Sequence, residues 1–165
     1  HRGADFDEGG RWAAQGRPDA ALLERLKAEP YFDQAPPKST GRELFGEDWL
    51  AARLGPGLEP ADVQATLLEL TASSIVEAIG RFCDRPDEIY LCGGGARNER
   101  LAARIGELAS PLPVRPTDVL GVPTGRVEAM AFAWLALKCA RREPVDLAAV
   151  TGAAHPCVLG AIYPA

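Results

Sequence analysis

Clustered positive charge is absent from this sequence. No basic run occurs in its 165 residues, and the net charge is −5. A protein that grips the nucleic-acid backbone needs a basic footprint, so nucleic acid and anionic membrane are poor partners for it. Long apolar runs are missing as well. A membrane-spanning helix needs roughly 18 or more apolar residues in succession. The most hydrophobic stretch, Val127 to Cys139, is interrupted by Glu128 and Lys138 and reads as a buried helix. Histidine is scarce, with two in the chain, and Cys83, Cys92, Cys139 and Cys157 form no Cys-x-x-Cys pair. That spacing argues against a zinc site. Buried free thiols in a reducing cytoplasm are the expected reading. The chain opens without methionine, signal peptide or transit sequence. Its first residues, His1 to Glu8, read as the polar exit from an element further upstream.

What is present is an ordinary globular composition, 47% hydrophobic and 25% charged. The length fits one domain or one lobe of a larger enzyme. Two regions emerge. Residues 1–84 read as a run of helices. Asp19 can cap a helix bearing Leu22, Leu23 and Leu26, which Pro30 stops. Thr40 and Glu43 have capping-box spacing for a short helix with Leu44 and Phe45. Trp49, Leu50 and Leu54 form the next apolar stripe. A long helix follows from about Ala61 to Phe82, with Val63, Leu67, Leu70, Ile75, Ile79 and Phe82 at helical spacing and Gln64, Glu69 and Glu77 at polar positions. Residues 85–165 alternate strand and helix. Glu88 to Cys92 is a β-rich run, a helix begins near Asn98, and Pro113-Val114-Arg115 is the next strand. Thr124 can cap a helix running to about Arg142, and Val158 to Tyr163 reads as a final strand. Strand, glycine turn, helix and strand in that order are the signature of an α/β crossover unit. The fold class is therefore α/β with a helical region.

Three segments carry candidate chemistry. Gly93-Gly94-Gly95-Ala96-Arg97-Asn98 follows a strand and opens a helix. Glycines let a ligand approach the backbone closely, and a helix start offers unpaired N–H groups. The spacing is neither the dinucleotide fingerprint nor a P-loop. The alternative is a tight turn with Asn98 as a helix cap. Lys38-Ser39-Thr40-Gly41 combines a cation, two hydroxyls and a glycine, which suits an anionic or sugar ligand, or else a solvated capping loop. Glu128 lies in the first turn of an apolar helix, either as a dipole-stabilised carboxylate or as an acceptor for ligand hydroxyls. His155, before Pro156, has no nucleophile arranged with it and reads as a loop residue. Phe132, Trp134 and Leu135 read as core.

Four stretches in this order resemble the anhydro-N-acetylmuramic acid kinase family. They are Pro36 to Phe45, Cys92 to Asn98, Val127 to Ala136, and Val150 to Ala153 continuing through Val158 to Pro164. The resemblance covers nearly the whole chain. It implies the C-terminal lobe of an actin-like fold shared with sugar kinases and heat-shock ATPases, with ATP lying between two lobes. It also implies a reaction in which water opens the 1,6-anhydro ring while ATP with Mg2+ phosphorylates the sugar, during peptidoglycan recycling. By this resemblance Gly93, Gly94, Gly95 and Asn98 belong to the nucleotide side. Glu128 is a sugar ligand, with Lys38, Ser39 and Thr40 as further substrate-binding candidates. No metal ligand and no catalytic residue is assigned within the chain, and a homodimer is left open.

Two family features are absent, the glycine- and serine-rich phosphate loop and the Asp-Thr-Gly-Pro segment with the catalytic base. The chain alone is therefore expected to lack catalysis and to need the missing N-terminal lobe. Gly125-Arg126, beside Glu128, is a less usual start for its helix. Two other readings stand beside this one: a kinase of the same superfamily acting on another sugar, and a non-catalytic nucleotide-binding module. A Rossmann oxidoreductase fits worst, because its glycine spacing is not met.

Overall fold

The longest element, a 23-residue helix, organises the elements around it. The computed structural model describes residues 3 and 5–163. His1, Arg2 and Ala4 of the opening segment, and Pro164 of the last matched stretch, lie outside the described residues. In chain order the elements are α1 (Ala20–Lys27), α2 (Glu47–Ala51), α3 (Pro60–Phe82), β1 (Ile89–Leu91), α4 (Glu99–Ala109), β2 (Val114–Pro116), α5 (Val127–Ala140) and α6 (Ala148–Thr151). Short 3-10 turns connect several of them. The result is an α/β fold, mostly helical, with a small parallel sheet.

Local signals explain the helix starts. The Asp19 carboxylate accepts the Leu22 N–H at 2.6 Å, capping α1 as its sequence predicts. Pro60 sits in the first turn of α3, where its missing N–H costs nothing. Thr66 then ties the two helices together. Its hydroxyl is fully buried, donates to the Asp62 carbonyl at 2.7 Å and accepts the Asp19 N–H at 2.9 Å.

Helix α3 has two working faces, where its sequence suggested one apolar stripe. Leu70 packs with the fully buried Leu22 and Leu26 of α1, flanked by Val63, Leu67, Phe32, Trp49 and Leu50. The rings of Tyr31, Phe32, Phe45 and Trp49 extend this cluster, Phe45 meeting Tyr31 and Trp49 edge to face and Phe32 at a tilt, with centroids 4.9 Å apart for Phe45 and Trp49. On a second face, Ala65, Glu69 and Ala72 recur at i, i+4 and i+7. Ala65 and Ala72 are buried. Glu69 receives two parallel bonds from Arg104 of α4, at 2.6 and 2.9 Å. So Glu69, read from sequence as a polar position, is the joint between α3 and α4.

Several expectations are corrected. Thr40 and Glu43 open no helix: Gly41 accepts from the N–H groups of Leu44 and Phe45 in a turn, and the Thr40 hydroxyl is buried without a partner. Thr124 does not cap α5. Its side chain and N–H both go to Asp118, and α5 starts without a side-chain cap. Segment 158–163 is no strand, because a strand needs a sheet edge to pair with. The pairing found there is a single antiparallel bridge between Val145 and Cys157. Helix α5 is not buried. Phe132 is 63% exposed and Trp134 47%, since no described helix or strand packs along that face. The four cysteines are free, yet Cys83 and Cys92 are exposed and the other two half-buried.

The Glu69–Arg104 joint gives a pH prediction. The Arg104 hydrogen bonds hold the Glu69 carboxyl below its usual value of 4.5, against the opposing effect of burial. A depressed folded pKa means that the stabilisation is full above the unfolded value and lost as pH falls through the folded one. Thermal melting should therefore weaken as pH drops below 4.5. Glu69→Gln should cost roughly 1.5–3 kcal/mol at neutral pH, toward the lower end because Arg104 is 33% exposed. The variant should also flatten part of the acid dependence, read as melting temperature against pH. The remainder comes from groups such as Asp7. Burial raises the Asp7 carboxyl, but the N–H groups of Trp12 and Ala13 outweigh that and leave it lowered.

Candidate functional site

Strands β1 and β2 pair in parallel, with Ile89 opposite Val114 and Leu91 opposite Pro116, and α4 makes the crossover between them. Both strands therefore end at the same edge of the sheet, the edge where ligands of open α/β sheets collect. Two loops leave from it. After β1 come Gly93 and the turn Gly94–Arg97; after β2 comes the turn Thr117–Leu120.

Gly93 has φ 77° and ψ −170°, a region that only glycine occupies without strain. Its N–H donates to the Thr124 carbonyl at 3.0 Å. Gly94 differs from it: its φ is not positive, and a side chain added there would meet open space. A bare stretch of backbone thus faces outward at the strand ends. Asn98 closes the loop by accepting the Leu101 N–H at 3.0 Å, and Gly10 packs so tightly against it that an added Cβ would lie 2.5 Å from its Oδ1. The helix-cap reading of Asn98 is the one realised.

The second loop is fastened to the same point. The Asp118 carboxylate accepts the Thr124 N–H at 3.2 Å and also the Thr124 hydroxyl. Thr117, the first residue beyond β2, has a buried hydroxyl with no partner. Thr124 is therefore the knot of both loops, and α5 starts three residues beyond it. Glu128 stands in the first turn of α5 and is exposed. The structure brings Gly93, Gly94, Gly95 and Asn98 together with the start of the helix that carries Glu128.

It does not gather Lys38, Ser39 and Thr40 in the same way. The Lys38 ammonium turns inward, donating to the carbonyls of Tyr31 at 2.8 Å and Phe32 at 3.3 Å and lying 4.6 Å from the Tyr31 ring centroid. Ser39 is exposed. The neighbouring Pro37 reaches Gly152, at the end of α6. His155 is an exposed loop residue beside the Pro156 carbonyl, as expected. Sequence reasoning missed Thr117, Asp118 and Arg97. The first two could have been found by treating the end of β2 as it treated the end of β1.

The family model described as anhydro-N-acetylmuramic acid kinase matches residues 1–165. The chain belongs to the anhydro-N-acetylmuramic acid kinase family. A relative of that name from Ralstonia nicotianae is 53% identical over 171 residues, covering 100% of this chain and 44% of its own length. The one from Bordetella pertussis is 55% identical, covering 100% of this chain and 45% of itself. That from Paraburkholderia xenovorans is 50% identical, covering 99% and 46%. The chain thus spans a little under half the length of these anhydro-N-acetylmuramic acid kinases. No helix among the described residues is long and apolar enough to cross a membrane.

The two adjacent glycines should respond differently to the same methyl group. Gly93→Ala forces an L-residue into a glycine-only region and should cost about 1–3 kcal/mol. Gly94→Ala meets open space at an ordinary φ and should melt with the parent. Paired denaturation curves check this.

Proposed function

We propose that this chain forms the C-terminal lobe of an ATP-dependent kinase that opens and phosphorylates 1,6-anhydro-N-acetylmuramic acid in peptidoglycan recycling. The observation that carries the reading is the bond from the Gly93 N–H to the Thr124 carbonyl. It joins a ligand-accessible glycine loop to the start of the Glu128 helix, as two substrates meeting at one point require. In this reading residues 1–84 are the helical part of the lobe and residues 85–165 its α/β, nucleotide-bearing part.

The geometry supports the following roles. Gly93 to Gly95 present backbone to the nucleotide, and Asn98 fixes where α4 begins beside them. The buried, unpartnered Thr117 hydroxyl at the strand edge can donate to a polar ligand atom there. An exposed carboxylate at Glu128 accepts from sugar hydroxyls. Ser39 and the Thr40 hydroxyl remain candidates on the sugar side, with Lys38 holding their loop in shape rather than meeting substrate. ATP supplies the phosphoryl group when bound. Its Mg2+ would be held largely by phosphates and water. Transfer of this kind depends on positioning and charge neutralisation, with a base for the attacking water. The base is expected from the other lobe.

The test is a kinase assay on the full-length enzyme carrying this chain, with the anhydro sugar and ATP. Glu128→Gln should lower sugar kcat/KM by about ten- to a hundredfold, with ATP affinity and melting temperature little changed. Gly94→Val should raise the ATP KM more than the sugar KM. No phosphorylation by the parent enzyme rejects the reading as a whole. Normal sugar kcat/KM in a folded Glu128→Gln variant removes Glu128 from the sugar site.

A further inference from the structure

Arg97 ends the turn Gly94–Arg97 and is exposed. Like Arg17, Arg42, Arg100, Arg115, Arg126 and Arg142, Arg97 has no side-chain hydrogen bond or ion pair with any described residue, and among these its place in the glycine loop sets it apart. Its guanidinium nevertheless has a defined seat. Nη2 lies against Gly125, so close that a Cβ added to Gly125 would be 2.7 Å away. Gly125 has no positive φ, so its backbone does not require glycine. A side chain at Gly125 would instead displace the arginine head from its place beside the start of α5. The head thus reaches from the glycine loop to Gly125, the residue after the Thr124 whose carbonyl accepts the Gly93 N–H.

A planar cation held in place without an anion is suited to receive one, and phosphate matches the guanidinium fork. The location narrows the choice, because Arg97 borders the bare glycine loop at the carboxyl ends of both strands. We propose that Arg97 is a phosphate-contacting residue of the nucleotide site, and that Gly125 is the seat that aims it. This rests on the kinase reading above and extends it to a residue pair. The lysine side chain is a weaker substitute, since a point charge keeps the attraction but not the fork or the flat contact.

The experiment compares ADP and adenosine binding to the full-length enzyme by calorimetry, for the parent, Arg97→Gln, Arg97→Lys and Gly125→Ala, with melting temperatures recorded. Loss of a charge-assisted bond should weaken ADP by about tenfold or more in Arg97→Gln. Adenosine, which has no phosphate, should bind all four proteins alike. Arg97→Lys should fall between, and Gly125→Ala should weaken ADP while leaving adenosine unchanged. Unchanged ADP affinity in Arg97→Gln overturns the proposal while leaving the kinase reading intact. Equal weakening of ADP and adenosine also overturns it, since that marks a structural role. A parent enzyme that binds no ADP overturns both.

Discussion

The paired bonds between Glu69 and Arg104 lie within the most extensive contact between elements of the fold, the one that joins two parts of the chain. One part is the helical layer of α1, α2 and α3, with its leucine and aromatic cluster. The other is the crossover unit of β1, α4 and β2, whose two short strands could not stand alone. Ala65 and Ala72 flank Glu69 on the same face of α3, and their small side chains let α4 come close. Arg104 also reaches Glu107, so its charge is shared within α4 as well as across the joint. Because α4 leads directly out of the glycine loop, the position of that loop is set by the α3 surface through this contact. The site is rigid at its rear and open at its front.

At the front, the arrangement uses backbone more than side chains. Gly93 supplies a turn that no L-residue accepts, and Gly94 an uncovered surface. Thr124 gathers both strand-end loops through its carbonyl, N–H and hydroxyl. Fastening at one residue ties the glycine loop to the start of α5.

Much of this was legible in the sequence, for physical reasons that differ by element. Helix α3 was readable from its period and Pro60. Helices α1 and α4 were readable from Asp19 and Asn98, since short polar caps announce themselves locally. The crossover was readable from strand, glycines and helix in succession. The failures share one cause. Thr40, Thr124, the apolar α5 and segment 158–163 were all assigned from local pattern, but their state depends on what lies across from them. Thr124 had a stronger partner in Asp118 than in the helix beyond it. Helix α5 has the composition of a core element, yet the described residues cover its Phe132 and Trp134 only in part. Glu69 failed in the opposite direction, since a charged residue on a long helix reads as solvated until its partner is known. In the candidate site, the glycine loop that includes Arg97 stood out as a glycine run, whereas Thr117 carries no such mark.

Gly93 has a consequence in the language of handedness. Its φ of 77° and ψ of −170° are the mirror image of an ordinary extended conformation. A residue of opposite chirality would rest there as comfortably as L-alanine does in a strand. D-alanine placed at this position by chemical ligation would thus satisfy the backbone. Glycine serves this turn as the one genetically encoded residue able to behave as its own enantiomer.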